Sequence, residues 1–171
     1  MRHISGSVTN ALIEAHDLKK AYVRGNHTVP VLKGVSLVAG RGEFVTVMGP
    51  SGSRKSTLLH LLGGLDRPDA GRVILDGVPL ESYSDRALSG FRRERLGFVF
   101  QFFNLLPSLT TLENIALPLL LDGRKLSSIR EKCEDLTRRV GLSGRSDHYP
   151  HQLSGGEMQR VAIARALVSD P

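Results

Sequence analysis

The sequence predicts an α/β fold, and three observations carry that expectation. A short apolar run, Phe44-Val45-Thr46-Val47-Met48, ends at Gly49 and has the look of a buried parallel strand. The nine residues that follow, GPSGSRKST from Gly49 to Thr57, form a loop of small residues that passes straight into an apolar helical stretch. The second half of the chain then carries apolar residues at helical spacing, with helix-starting residues ahead of them.

Taken in order, Ala11 to His16 and Val29 to Val38 carry alternating or β-branched apolar residues and read as strands. The strand Phe44 to Met48 comes next, and Ser56 to Leu62 reads as a helix that begins at the glycine-rich loop. Gly71 to Asp76 reads as a strand, closed by a turn at Asp76-Gly77. Asp85 to Arg95 is helical and basic on one side, and Leu96 to Phe100 reads as a strand ending at Gln101. Thr111 opens a further helix, where Thr111 and Asn114 come close to a capping pattern that lacks its Glu or Gln. Ser127 to Val140 is helical and stops at Gly141, a fitting C-terminal residue. Ser154 caps a last helix whose expected apolar face is Met158, Val161, Ile163, Ala164 and Leu167.

Composition narrows the class. The chain has 171 residues, enough for one domain with a sizeable core, and 40% of them are hydrophobic. The longest apolar stretch, Ile115 to Leu121, is broken by Pro118 and falls far short of the ~20 residues a bilayer crossing needs. The N-terminal stretch MRHISGSVTNALIEAHD lacks the apolar core of a secretory signal. The single cysteine, Cys133, excludes an internal disulfide and suits a reducing compartment. A net charge of +6 points to anionic partners, such as a nucleotide, a nucleic acid or a lipid surface, or simply to solubility.

The chemistry concentrates in two stretches. A strand, a glycine-rich turn and a helix, in that order, aim backbone N–H groups and the positive end of a helix at a bound phosphate. Lys55 adds a full charge for the β- and γ-phosphates, and the Ser56 hydroxyl can reach Mg²⁺. The second stretch is Leu153-Ser154-Gly155-Gly156-Glu157, followed by Gln159 and Arg160. Two glycines at a helix start expose N–H groups and make a second anion-binding end. The same Leu-Ser-Gly triplet occurs at Leu88 and at Leu142, but neither copy has the second glycine or the residues that follow.

With these motifs, the chain resembles the ATP-binding subunits of ABC transporters from about Leu12 to Pro171. LSGGEMQRVAIARAL matches the family's signature motif and helix, and GFVFQFFNLLPSLTTLENIALPLLL is similar to the stretch that holds its Q-loop glutamine. Within the family it is most similar to the branch of lipoprotein-release and macrolide-export systems, whose permeases are FtsX-like. The resemblance implies a single nucleotide-binding domain over residues 1–171. Its RecA-like core would cover about residues 11–101 and 157–171, and a helical subdomain would cover 102–156. It also implies roles for individual residues. Tyr22 would stack on adenine; Gly49, Ser51, Gly52, Ser53, Arg54, Lys55, Ser56 and Thr57 would form the phosphate loop. Gln101 would help bind Mg²⁺ and sense the γ-phosphate, and residues 102–120 would lie near the permease. Leu153, Ser154, Gly155, Gly156 and Glu157 form the signature, whose Ser154, Gly155 and Gly156 would contact ATP held by a second subunit facing head to tail. The implied cofactors are ATP and Mg²⁺. The implied partners are a second nucleotide-binding subunit and a membrane permease, with no specific nucleic acid. The implied place is the cytoplasmic face of the cell membrane.

Two departures from the family pattern stand out. The phosphate-loop pattern places glycine where this chain has Arg54. A non-glycine residue forced into that conformation costs about 1–3 kcal/mol. Strain alone would therefore weaken binding roughly 5- to 150-fold. A guanidinium's attraction to phosphate opposes this, but the crowded departure of the side chain is expected to dominate. In the family, too, the signature helix is followed by a strand that ends in the Mg²⁺-binding aspartate and the catalytic glutamate, with a histidine beyond. The sequence stops at Pro171 before these, so negligible hydrolysis by this chain alone is expected, as is an exposed apolar edge at Phe44 to Met48.

Other candidates carry less. His148 and His151 have a metal-pair spacing, but Pro150 lies between them and no third ligand is near in sequence. Arg86, Arg92, Arg93 and Arg95 read as a solvated face, and nothing supports catalysis by Cys133. Two other functional readings remain in view. One is a degenerate, non-catalytic subunit that contributes only its signature to an active partner, which Arg54 favours, or a truncated remnant. The other is an ATPase acting on DNA or ribosomes; the absence of a heptad run between Thr57 and Leu153 speaks against the DNA-maintenance type.

Overall fold

The computed structural model describes residues 11–171. Residues 1–10, part of the N-terminal stretch inspected for a secretory signal, lie outside the described residues. The chain divides into two compact units, Met1–Leu88 and Ser89–Pro171.

The first unit is built on a four-stranded sheet in the order β2-β1-β3-β4, with every pairing antiparallel. Strands β1 (Ala11–Arg24) and β2 (His27–Gly40) form a long hairpin around Gly25 and Asn26. Both are longer than the alternating pattern indicates, because cross-strand pairing continues into polar, exposed residues. Strand β3 (Ala70–Leu75) pairs with β1, and β4 (Val78–Pro79) returns through Asp76-Gly77. Both turn residues have positive φ, 48° and 77°, the geometry that a two-residue hairpin turn requires. Register slips between His16 and Lys19, where Asp17 has φ 49°. Gly71 packs directly over that bulge: a Cβ there would lie 2.4 Å from the carbonyl oxygens of both His16 and Asp17. Helix α1 (Lys55–Leu62) and the sheet bury Leu18, Leu61 and Val73 in the core of this unit.

The second unit is helical. It contains the end of α2 (Asp85–Arg95), then α3 (Thr111–Leu121), α4 (Leu126–Arg139) and α5 (Gly155–Leu167). Ile115, Cys133, Leu142, Val161, Ala164 and Val168 anchor its apolar core. Cys133 is thus a packing residue, and burial pushes its thiol up from the ordinary value.

Four expectations are corrected. Phe44 to Met48 forms no strand and has no ladder partner among the described residues. Phe44 is 93% exposed and Met48 86%. An apolar run becomes a strand only when a neighbour takes its N–H and C=O groups, and here β1 is already flanked by β2 and β3. Leu96 to Phe100 likewise forms no ladder; instead Gly97 lies against α5, where a Cβ would come within 2.4 Å of the Ala166 carbonyl oxygen. The cap of α3 is Thr110, one residue earlier than expected. Glu113 completes a full capping box with it, so the missing acidic member is present in that register. Finally, α5 turns Val161, Ala162 and Ala164 inward, while Ile163 and Leu167 are exposed.

Candidate functional site

The phosphate loop occupies Gly49–Thr57, ahead of α1 and at its first turn. It is tightened by a hydrogen bond from the Ser53 N–H to the Pro50 carbonyl, 3.2 Å, and Gly52 takes φ 79°. Lys55 folds back across the loop. Its Nζ donates to the carbonyl oxygens of Gly49 and Pro50, both at 2.9 Å, and to Ser53 Oγ at 3.1 Å. A cation is therefore held at the centre of the loop, while the exposed Ser56 sits in the first turn of α1 with Thr57 beside it. N–H groups in a first helical turn have no partner within the helix, so this end can receive an anion.

Arg54 is the N-cap of α1 and adopts φ 66°, ψ 25°, the left-handed region where glycine is at ease. The backbone thus keeps the glycine conformation although the residue is arginine. Its guanidinium is directed away from the loop centre and donates to the Val31 carbonyl of β2 at 3.1 Å. The side chain offers no cap hydrogen bond to the helix it starts.

Tyr22 lies on β1, partly exposed, in a polar cluster that the sequence did not disclose. Its hydroxyl donates to Asp66 Oδ2 at 2.7 Å, and the Lys20 ammonium stands 5.3 Å from its ring centre. Lys20 also binds Asp66 Oδ1 at 2.8 Å and the Arg67 carbonyl at 2.7 Å. Burial works to raise the Asp66 carboxyl, but the bonds from Lys20, Tyr22 and the Arg67 N–H outweigh it and hold it below the usual value. The Tyr22 phenol is pushed up, first by its bond to Asp66 and then by burial, with the nearby Thr57 hydroxyl working the other way. Tyr22 and the end of the phosphate loop are thus neighbours.

In the second unit, Gln101 occupies an exposed turn and Phe102 beside it is 82% exposed. Phe103 and Asn104 both have positive φ, 60° and 49°. Beyond them, the fully buried Asn114 of α3 fixes the chain. Its Oδ1 accepts from the Leu106 N–H at 2.8 Å, and its Nδ2 donates to the carbonyls of Leu106, Leu109 and Thr110 at 3.0–3.1 Å.

The signature begins with Leu153, buried in the helical core, while Ser154, Gly155 and Gly156 are exposed. Nothing lies within 4 Å of where a Cβ on Gly155 would stand, so this helix start is open to an incoming group. Glu157 closes a capping box on Ser154, and Arg145 Nε donates to the other Glu157 oxygen at 3.1 Å. The Ser154 backbone N–H, then its hydroxyl and Arg145, lower the Glu157 carboxyl to about 2.

His148 lies beside Arg145, and His151 stacks on Tyr149 at 5.9 Å between ring centres. Among the described residues no three His, Cys, Asp or Glu side chains cluster as metal ligands, and no helix is long and apolar enough to cross a membrane. Of the expected basic face, Arg86 and Arg95 are exposed, whereas Arg93 is half-buried and binds Asp122 at 2.6 Å and Ser89 at 3.2 Å.

The profile of the ABC transporter family matches residues 32–171 of this chain. The chain belongs to the ABC transporter ATP-binding family. It is 48% identical to the lipoprotein-releasing system ATP-binding protein LolD of Cytophaga hutchinsonii, over 94% of this chain and 71% of that protein. It is also 48% identical to LolD of Legionella pneumophila, over 96% of this chain and 72% of the relative. Among solved structures, the dimeric post-hydrolysis state of the ATP-binding cassette MJ0796, bound to ADP and Pi, superposes with a TM-score of 0.87 at 42% identity. That match covers 93% of this chain and 70% of the other. The chain therefore has the fold of an ABC ATPase, a family that binds and hydrolyses ATP.

Sequence reasoning missed the residues that hold the ABC motifs in place: Asp66 behind Tyr22, Arg145 behind Glu157, and Asn114 and Arg165 behind the glutamine turn. Asp66, Arg145 and Arg165 carry no local signature, since each acts on a residue at least 12 positions away, whereas Asn114 acts nearby, on Leu106, Leu109 and Thr110.

Proposed function

We propose that this chain is the ATP-binding subunit of an exporter or extractor of the lipoprotein-release type, and that it binds Mg-ATP between two copies arranged head to tail. The observation that carries this reading is the presence of two exposed, glycine-bearing helix starts on one chain, at Lys55 and at Gly155, each suited to phosphate. Lys55 would hold the phosphates of ATP on its own subunit, and Tyr22 would support the base. The exposed Ser154, Gly155 and Gly156 would reach the γ-phosphate on a second subunit. The Ser56 hydroxyl is of the hard oxygen type that Mg²⁺ prefers, and the ion would neutralise phosphate charge beside it. The subunit would work at the cytoplasmic face of the membrane with an FtsX-like permease, around residues 102–120. The names of the two LolD relatives, lipoprotein-releasing system ATP-binding proteins, support the lipoprotein-release type.

The left-handed Arg54 supports a second reading, in which the phosphate loop is weakened and this chain contributes chiefly its signature to a competent partner. Titrating ATP into the chain alone, and into a mixture with an intact homologue, separates the two. Mg-ATP-dependent dimers of the chain by itself support the active subunit. Dimers formed only in the mixture support the passive one. Failure to dimerise in either condition would falsify the head-to-tail reading.

A further inference from the structure

Gln101 lies just ahead of two consecutive residues in the left-handed region, Phe103 and Asn104, a conformation that asparagine tolerates but a bulky phenylalanine does not favour. Such a pair persists only where the surroundings over-determine it. Two backbone hydrogen bonds close the turn, from the Phe103 N–H to the Phe100 carbonyl and from the Asn104 N–H to the Phe102 carbonyl, and one side chain grips it from outside. Arg165, on α5, donates from Nη1 to the Asn104 carbonyl at 2.7 Å and from Nη2 to the Phe103 carbonyl at 2.5 Å. The planar guanidinium fork matches two adjacent carbonyls in a way that a lysine cannot. Burial lowers the basicity of Arg165, as expected for a cation drawn in among backbone groups. Arg165 lies on the same helix that begins with the signature residues Gly155 and Gly156.

We propose that Arg165 is the positioning residue of the glutamine turn, clamping Phe103 and Asn104 so that Gln101 and the exposed Phe102 are fixed to the signature helix and move with it. The two left-handed residues serve as the grip: both of their carbonyls meet the one guanidinium. The consequence for phosphate sensing rests on the reading of Gln101 given above. The clamp itself does not, so the two can fail separately.

The test is hydrogen exchange followed by mass spectrometry on the full chain as wild type, Arg165→Lys and Arg165→Ala. Exchange in residues 101–106 is expected to accelerate at least tenfold in the alanine variant and by less in the lysine variant, with α4 unchanged. A third variant, Arg165→Lys with Asn104→Gly, is expected to recover part of the lost protection, because glycine adopts positive φ without the clamp. That recovery would not arise if Arg165 merely supported the core. The proposal is overturned if exchange rises equally across α3, α4 and the turn, if residues 101–106 are unaffected, or if the glycine variant gives no recovery. Should the alanine variant not fold, the lysine pair alone decides by the same criteria.

Discussion

Glu157 and Ser154 hold each other at the mouth of the signature helix. The carboxylate accepts from the Ser154 N–H and from its hydroxyl, both at 2.8 Å, while the Glu157 N–H donates to Ser154 Oγ at 3.3 Å. The residue expected to meet an incoming phosphate is therefore already the cap of its own helix. Its hydroxyl orientation is set by a carboxylate that Arg145 steadies from the other side.

That arrangement has a pH signature. The folded-state value of Glu157, about 2, lies below its ordinary 4.5, so its stabilising contribution is complete above about pH 4.5 and is lost as pH falls toward 2. Melting temperatures of wild type and Glu157→Gln should differ most above pH 4.5 and converge below it; parallel curves would contradict the assignment. Ser154→Ala should cost about 1 kcal/mol by denaturant titration, the usual loss of an N-cap oxygen.

Arg54→Gly should improve ATP binding. Left-handed backbone costs a non-glycine residue about 1–2 kcal/mol, and the flexibility of glycine in the unfolded chain offsets part of that gain in stability. Fold stability should therefore change little, while affinity measured by equilibrium dialysis rises roughly tenfold as the left-handed strain is relieved. An unchanged affinity would show that Arg54 is harmless.

Asn114→Ala should be among the more costly single changes. It removes a fully buried amide and strands the Leu106 N–H and the Leu109 carbonyl, while the Leu106 and Thr110 carbonyls keep backbone donors, which points to about 3 kcal/mol by chemical denaturation. A loss below about 1 kcal/mol would mean that water replaces the side chain.

Phe44→Lys combined with Met48→Lys should suppress self-association without altering melting behaviour. Both side chains are almost wholly exposed, so their burial adds nothing to this chain's folded state, yet together they present an apolar strip to other molecules. Light scattering across a concentration series gives the answer. Equal association by wild type and variant would acquit the strip.

Much of the local structure was legible because it depends on neighbours in sequence. The turn at Asp76-Gly77, the stop at Gly141 and the Ser154 cap each follow from backbone freedom or a side-chain oxygen within a few residues. The α3 cap was misplaced by one residue because Thr110 and Thr111 are equally able to cap. Only the pairing with Glu113, and the contact of Thr111 with the His148 carbonyl, distinguish them.

The sequence by itself determined the local pattern of this protein: a glycine-rich loop with lysine and serine ahead of a helix, a second glycine-bearing helix start, and an arginine where the phosphate-loop pattern has glycine. These are fixed by residue type at short spacing, where local geometry leaves few alternatives. Only the tertiary structure decided whether Phe44 to Met48 becomes a strand, what directs the Arg54 guanidinium to Val31, and which side chains fasten Tyr22, Gln101 and Glu157. Ladder partners, the Asp66 acceptor and side-chain donors such as Arg145 and Arg165 come from far along the chain. A hydrogen bond between distant residues is specified by the packing of the whole unit, not by the pattern around either partner.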